Sequence, residues 1–418
     1  MQHTLLIPTY NRPRDLARLL RFLAGGPAGR QAALRSRILV GDSSRPEHRA
    51  ANRAAVAAVA DRLDIDLQAH PQEMPAFVKY RALVDAATTG TVSFCADDDL
   101  VVPEALAAAI ADLAATAGDG RVAVQGRAFY LAERPDGLAL ESAAYWRDDL
   151  AAADRWDRLE ALFASYEAPF YAVYRCPALQ AAFAGMPADA DPLWQELWLS
   201  VTAIAAGPVG RRADWAYGRF VVDLPGFSNW HPHEILARSP MRLLEGMRRF
   251  RDAVLPAILG PGHDPALDAR FDLLLLRYLG GFLTSGAVDD LIAAHRDGGA
   301  ADGAALAAVW KKWARGADRA RGRHLRPWQA GRQAALRRRA VGLGRRALRR
   351  LARDPAMPVA TDERVALPLT GAWLTLGQEF LMPSGTGAPA PDDAETGALV
   401  ATLDRYWACD AAVAGRQE

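Results

Sequence analysis

Between Thr4 and Gln125 the sequence alternates five short apolar runs with four amphipathic stretches. A chain that switches between those two periods builds βαβ units around a mostly parallel sheet. The predicted strands are Thr4 to Pro8, Arg37 to Gly41, Asp66 to His70, Thr91 to Cys95 and Arg121 to Gln125. The first predicted helix carries Leu16, Leu19, Leu20 and Leu23 on one face, with Asn11 as cap, Pro13 in its first turn and Gly25-Gly26 as its stop. Helices are also expected over Pro46 to Leu63, Pro75 to Ala87 and Pro103 to Ala115. In open α/β sheets ligands bind outside the carboxyl ends of the strands, so polar residues at those ends are the first functional candidates.

Composition narrows the class. A 51% hydrophobic and 24% charged chain of 418 residues has material for a large core and excludes a wholly disordered or fibrous protein. Three cysteines, Cys95, Cys176 and Cys409, have no CxxC spacing, which excludes a disulfide scaffold and a zinc ribbon and suits a reducing compartment. The first residues lack a basic segment followed by a long apolar one, and the longest apolar run, Phe271 to Leu283, is short for a bilayer and carries Asp272 and Arg277. A cytoplasmic protein is expected. No lysine follows a glycine, so a P-loop is absent, and HExxH and GxSxG are absent too.

Three polar clusters end predicted strands. Ser93 to Ala96 empties into Asp97-Asp98-Asp99, and carboxylates that close must stay solvated, raise their pKa or share a cation. A hard ion such as Mg²⁺ or Mn²⁺, completed by phosphate oxygens, resolves that repulsion; a solvated helix start before Pro103 is the plain alternative. Leu5 to Arg12 ends the first strand in Pro8, Thr9, Tyr10, Asn11 and Arg12, and Ile38 to Ser44 ends the second in Asp42, which can accept a ring N–H or cap a helix.

As an ordered set, Leu6-Ile7-Pro8-Thr9-Tyr10-Asn11-Arg12, Val40-Gly41-Asp42-Ser43-Ser44 and Asp97-Asp98-Asp99 with Pro103 resembles a family 2 glycosyltransferase. The resemblance covers roughly residues 4–220. It implies a GT-A-type α/β fold, a mixed, mostly parallel sheet flanked by helices. It also implies a nucleotide diphosphate sugar as donor, a hydroxyl on a glycan or lipid-linked acceptor, and Mg²⁺ or Mn²⁺ as cofactor. Carried over by motif, Pro8, Thr9, Tyr10, Arg12, Asp42, Arg81 and Asp97 become nucleotide contacts. Counting back from Pro103 makes Asp98 and Asp99 the metal ligands, while a literal DXD selects Asp97 and Asp99. The family's acidic pair corresponds to Gln195-Glu196, twelve and eleven residues before Gly207, so Glu196 is the implied general base of an inverting transfer, with Asp191 in reserve. His231, in Trp230-His231-Pro232-His233, matches a loop that closes over the diphosphate and is the implied third metal contact. The resemblance also implies surface glycan or polysaccharide biosynthesis.

The division expected is a transferase domain over residues 1–235 and a mainly helical region over 236–418, with helices at Met241 to Ile258, Leu267 to Leu283 and Ala304 to Trp313. Residues 311–353 hold 16 of the 50 basic residues and one acid, so the near-neutral net charge of +1 hides a strongly basic stretch. Arg337-Arg338-Arg339, Arg345-Arg346 and Arg349-Arg350 interleaved with leucines describe an amphipathic basic helix. Peripheral contact with an anionic membrane surface, the inner face of the plasma membrane, is the favoured partner. Nucleic acid satisfies the same charge less favourably, and a solvated face packed on the acidic remainder is the plain alternative. A non-catalytic protein that presents this helix from a degenerate transferase fold is the competing class.

Overall fold

His3–Thr9 forms strand β1, and every one of its residues is buried. An apolar strand without polar alternation belongs inside a sheet covered on both faces. β1 pairs in parallel with β2 (Ser36–Asp42) on one side and β4 (Thr91–Phe94) on the other, in a register that sets Thr9 beside Asp42 and Leu6 beside Phe94. β3 (Ile65–Ala69) adds to β2, again in parallel. Within this sheet the buried His3 ring meets Thr91 Oγ1 and Ser93 Oγ, each at 3.1 Å, and burial lowers its pKa to about 3, so it stays neutral.

The computed structural model describes residues 2–25, 36–134, 137–144, 149–164, 166, 168–220, 240–264, 266–282, 365–369, 372–376 and 393–414. The chain divides into two compact units. One comprises Met1–Phe220, Arg249–Asp268 and Arg364–Glu418; the other comprises Val221–Arg248 and Ala269–Glu363.

In the first unit the sheet has nine strands. From one edge they are β3, β2, β1, β4, Val173–Arg175 (β8), Ala123–Arg134 (β6), Val209–Phe220 (β9) and Leu100–Val101 (β5), with Gly137–Ala144 (β7) paired to β6. β8 runs antiparallel to both neighbours, β6 and β9 run parallel, and β5 and β7 run antiparallel to their partners. The mixed, mostly parallel α/β sheet expected from the sequence is thus the one observed. Because the chain steps from β1 outward to β3 and then returns to β4 on the other side of β1, a topological switch point lies between β1 and β4.

Helices α1 (Pro13–Ala24), α2 (Pro46–Ala57), α3 (Ala76–Ala86) and α4 (Pro103–Ala115) connect the early strands. The predicted stripe of α1, Leu16, Leu19, Leu20 and Leu23, is buried throughout. Burial of such side chains, at about 1.5–3 kcal/mol each, is what docks a 12-residue helix too short to persist alone. Helix α2 stops at Ala57, short of the expected Leu63. Helices α5 (Arg155–Ala164), α6 (Cys176–Ala184) and α7 (Pro192–Ala206) follow, and α7 ends at Gly207 as expected.

The second half of the sheet was the less legible part. β6 extends nine residues beyond the expected Gln125, and β9 includes Tyr217, which opens a segment, 217–233, whose Gly, Pro and aromatic content suggests a loop. Register shifts between Gln125 and Ala128 break the alternation that would have marked these strands. Gly126 is required there, because a Cβ at that position would stand 2.5 Å from Ala216 Cβ. Beyond β9, helices α8 (Pro240–Leu259) and α9 (Ala266–Phe282) match the predicted helices, and a further helix, α10 (Asp393–Ala414), lies within the region expected to be mainly helical. A hairpin of β10 (Val365–Leu369) and β11 (Ala372–Leu376) was not anticipated. The predicted helix 304–313, the basic stretch 311–353 and residues 385–392, whose Gly, Pro and Ala content suggests a linker, lie outside the described residues. Among the described residues no helix is long and apolar enough to cross a membrane.

The buried Arg158 on α5 closes the carboxyl end of α7. Its guanidinium donates to Ile204 O at 2.8 Å, Ala205 O at 2.9 Å, Ala152 O at 2.7 Å and Ala153 O at 2.8 Å. The last carbonyls of a helix lack intrahelical partners, and a cation there also meets the negative end of the dipole. Arg158→Met is expected to lower stability by about 2–4 kcal/mol in denaturant titration, since it strands four acceptors; an unchanged midpoint would contradict the capping role.

Candidate active site

The carboxyl ends of β1, β2 and β4 bring Thr9, Tyr10, Arg12, Asp42 and Asp97-Asp98-Asp99 to one edge of the sheet. Arg12 spans two of the carboxylates at the switch point: its Nη1 lies 3.2 Å from Asp97 Oδ1 and 2.6 Å from Asp98 Oδ2. Thr9 Oγ1 donates to Asp97 Oδ2 at 2.6 Å. The loop that carries Arg12 is itself tied down. Asn11 adopts the left-handed conformation at φ 58°, which asparagine tolerates better than most residues. Its N–H donates to Ser44 Oγ at 2.8 Å, and its side-chain Oδ1 accepts from Arg45 N–H at 2.9 Å. Asn11 therefore staples the β1 and β2 loops together and does not cap α1, whose N-cap position belongs to Arg12.

The three aspartates face different ways. Asp97 is buried and committed to Thr9 and Arg12. Asp99 is also buried, and its carboxylate accepts from Tyr217 Oη, from Phe220 N–H at 3.1 Å and from Tyr171 Oη at 3.4 Å. Burial and the Asp98 charge push both carboxyl groups up from the ordinary range; Arg12 offsets this at Asp97 and Arg219 at Asp99. Only Asp98 keeps solvent access, with a side chain 15% exposed. Asp99, expected as a metal ligand, is instead turned inward onto β9, because three protein donors occupy its oxygens.

Other expected contacts are redistributed. Asp42 is buried, with Oδ1 accepting from Ser44 N–H at 2.8 Å and Oδ2 from Asn52 Nδ2 at 3.1 Å, so both of its oxygens are engaged by neighbours within the chain. Pro8 is buried within β1, and Tyr10 is exposed with its hydroxyl 3.5 Å from Glu73 Oε1. Arg81 does not join the cluster: it forms an exposed pair with Asp85 at 3.6 Å. Lys79, two residues earlier and so about 200° around the helix, points the other way. Its Nζ donates to Thr9 O at 2.7 Å and Ser43 Oγ at 2.9 Å, bridging the ends of β1 and β2. His231 lies outside the described residues.

Glu196 sits on α7, half-buried, and among the described residues no donor pairs with its carboxylate. Burial raises its pKa from the ordinary glutamate value, and Arg219 partly opposes the shift. Its neighbour Gln195 turns inward, donating to Pro187 O at 3.0 Å and Ala188 O at 3.3 Å. Asp191, the reserve candidate, occupies the N-cap position of α7. Arg219, which the sequence reading missed, stands 5.9 Å from the ring centres of both Tyr130 and Tyr171, and its charge acts on both Asp99 and Glu196. It thereby links the acidic triplet to Glu196 electrostatically. No motif marks it, since the strand that delivers it was itself unrecognised.

Among the described residues no three His, Cys, Asp or Glu side chains converge to hold a metal. The donor set is a single accessible carboxylate beside an arginine. That composition fits an ion held by one carboxylate and completed by substrate phosphates, and does not fit an all-protein cage.

No family model matches the sequence, and no curated protein sequence matches it. Among solved structures, the chain is similar to residues 1–349 of TarS from S. aureus in complex with UDP-GlcNAc, at 17% identity and a TM-score of 0.48, over 67% of this chain and 72% of that one. A second crystal structure of the same TarS fragment aligns at 15% identity and a TM-score of 0.47, over 67% and 71% of the two chains. A mannosyltransferase from Pyrobaculum calidifontis, in complex with GDP-Man and Mn²⁺, aligns at 16% identity and a TM-score of 0.38 over 79% and 87%. Likeness of that degree assigns no role to any residue here.

The bridge made by Lys79 has a pH signature. Burial lowers its pKa to about 8 from 10.5, with Asp97 and Asp42 opposing. Between those values the unfolded chain binds the proton and the folded one does not, so stability rises with pH in that window. Relative to Lys79→Met, the wild type should therefore gain on the order of 2–3 kcal/mol from pH 8 to pH 10.5 and nothing below pH 8. Parallel pH–stability curves for the two proteins would contradict the buried charge.

Proposed function

We propose that this protein is an inverting glycosyltransferase that moves a sugar from a nucleotide diphosphate sugar to a hydroxyl of a glycan or lipid-linked acceptor. The observation that carries it is the Arg12, Asp97 and Asp98 cluster at the switch point between β1 and β4, the place where an α/β sheet binds its ligand. The ordered motifs resembling family 2 enzymes end at that same point. Thr9, Tyr10 and the Lys79 bridge would form the nucleotide side of the site. Asp98 would hold Mg²⁺ or Mn²⁺ together with diphosphate oxygens. The bound ion supplies charge stabilisation for the departing diphosphate, which is commonly the largest catalytic contribution.

The chain's own groups complete the reaction. Glu196 takes the proton of the acceptor hydroxyl as its oxygen attacks the anomeric carbon from the face opposite the diphosphate. The bond from the anomeric carbon to the phosphate oxygen breaks, and its electron pair leaves on the nucleoside diphosphate. A carboxyl pKa raised by burial suits this task, because a stronger base keeps the proton it takes. Arg12 and Arg219 are the cations this reading assigns to the developing negative charge; the pairing of Arg12 with Asp97 and Asp98 supports the first. Biosynthesis of surface glycans, and contact of the basic stretch 311–353 with an anionic membrane, extend this proposal.

Glu196→Gln is expected to keep nucleotide affinity while lowering kcat by about 10²–10⁴. Asp98→Ala is expected to abolish ion-dependent turnover. The anomeric configuration of the product, read by NMR, tests inversion. Full activity in both variants would overturn the assignment, and retention at the anomeric carbon would remove Glu196 from the role of base.

A further inference from the structure

Asp99 is fastened by segments far apart in the chain. Its carboxylate is held by Tyr217 and Phe220 of β9 and by Tyr171, and its backbone carbonyl accepts a hydrogen bond from Tyr406 Oη at 3.3 Å, across 307 residues of sequence. Tyr406 lies on α10 and is wholly buried. Its ring meets Phe22 of α1 edge-on at 5.3 Å and stacks on Phe220 at 5.7 Å. The Arg18 guanidinium lies 4.9 Å from the Tyr406 ring centre and 4.8 Å from that of Phe220, and it also pairs with Glu133 and, at 3.4 Å, with Asp15. Leu399 and Leu403 of the same helix join the core packed around α1. The tyrosine hydroxyl therefore has little freedom to leave its acceptor.

The consequence concerns Asp98. It sits between Asp97 and Asp99, both buried and both held, and Asp99 N–H closes a turn onto Ala96 O at 3.1 Å. The one accessible carboxylate of the triplet is paired with Arg12, and its backbone takes its position from neighbours that are fixed elsewhere. We propose that Tyr406 is a positioning residue of the donor site: by holding the Asp99 carbonyl, the C-terminal helix sets where Asp98 faces. The identity of the ligand rests on the function proposed above; the hold on the 96–99 turn does not.

The test uses Tyr406→Phe in the full chain, which keeps the ring and removes only the hydroxyl. Affinity for UDP, GDP, CDP and dTDP, each with Mn²⁺, is measured by calorimetry beside hydrogen exchange of the amides of residues 98–100. Loss of one hydrogen bond is expected to weaken binding of the preferred nucleoside diphosphate with Mn²⁺ by about 3- to 10-fold. Any residual affinity for the same nucleotide without ion should be unchanged, and exchange in the turn should quicken. Leu162→Ala, in the core of α5, controls for general destabilisation and should leave both readouts at wild-type values. Wild-type affinity and wild-type exchange in Tyr406→Phe overturn the proposal, as do equal changes in Leu162→Ala. Absence of nucleotide binding by the wild type overturns the donor-site assignment, and the exchange readout then decides the hold by Tyr406 separately.

Discussion

Three consecutive carboxylates at the end of a buried strand repel one another, and the site exists because Arg12 on one side, and Tyr217, Tyr171 and the Phe220 N–H on the other, divide them between separate partners. Arg12 takes Asp97 and Asp98 together, at 3.2 and 2.6 Å, while Asp99 is drawn away onto Tyr217 and the Phe220 N–H. An arginine can serve two carboxylates because its planar fork presents several donors and stays charged. Burying such a pair costs desolvation, so its retention is weak evidence of stabilisation and better evidence of a geometry being held. The outcome is one carboxylate with access to solvent, flanked by two that have none.

That division depends on the rest of the fold. Arg12 is placed by a loop whose left-handed Asn11 is locked to Ser44 and Arg45, and Lys79 ties Thr9 to Ser43 beneath it. Asp99 is placed by β9 and by Tyr406 of the last helix. Glu196 is placed by α7, which Gln195 tethers at one end and Arg158 closes at the other. Glu196 and the turn that carries Asp98 are therefore oriented in part by residues with no direct role in the proposed chemistry, as a preorganised electrostatic site requires.

Much of the first half of the fold was legible in the sequence. Leu5 to Ile7, Ile38 to Val40 and the leucine stripe of α1 announce themselves by period, and the Asp triplet by its density of charge. What could not be read is side-chain direction. Sequence treats Asp97, Asp98 and Asp99 as equivalent, whereas the pleat and the turn send them to three environments. Arg81 and Lys79 stand two apart on one helix, and only the helix's rotation decides that Lys79 faces inward. Asp42 was expected to meet a ligand, yet Asn52, ten residues on, claims one of its oxygens. Arg219 and Tyr217 were hidden because β9 pairs through bulges and glycines that disrupt alternation. Tyr406 was beyond reach of any local pattern, since its acceptor is contributed by a distant strand end.

The most direct measurement is a thermal-shift titration of the wild type with UDP, GDP, CDP and dTDP, each with and without Mn²⁺ or Mg²⁺. A ligand that binds only the folded state at about 100 times its Kd adds roughly 2.7 kcal/mol of stability, readily visible in Tm. A single accessible carboxylate, completed by diphosphate oxygens, predicts that one nucleoside diphosphate raises Tm, that it needs the ion to do so, and that the ion alone does little. A strong shift with the ion alone, or none with any nucleotide, would contradict it.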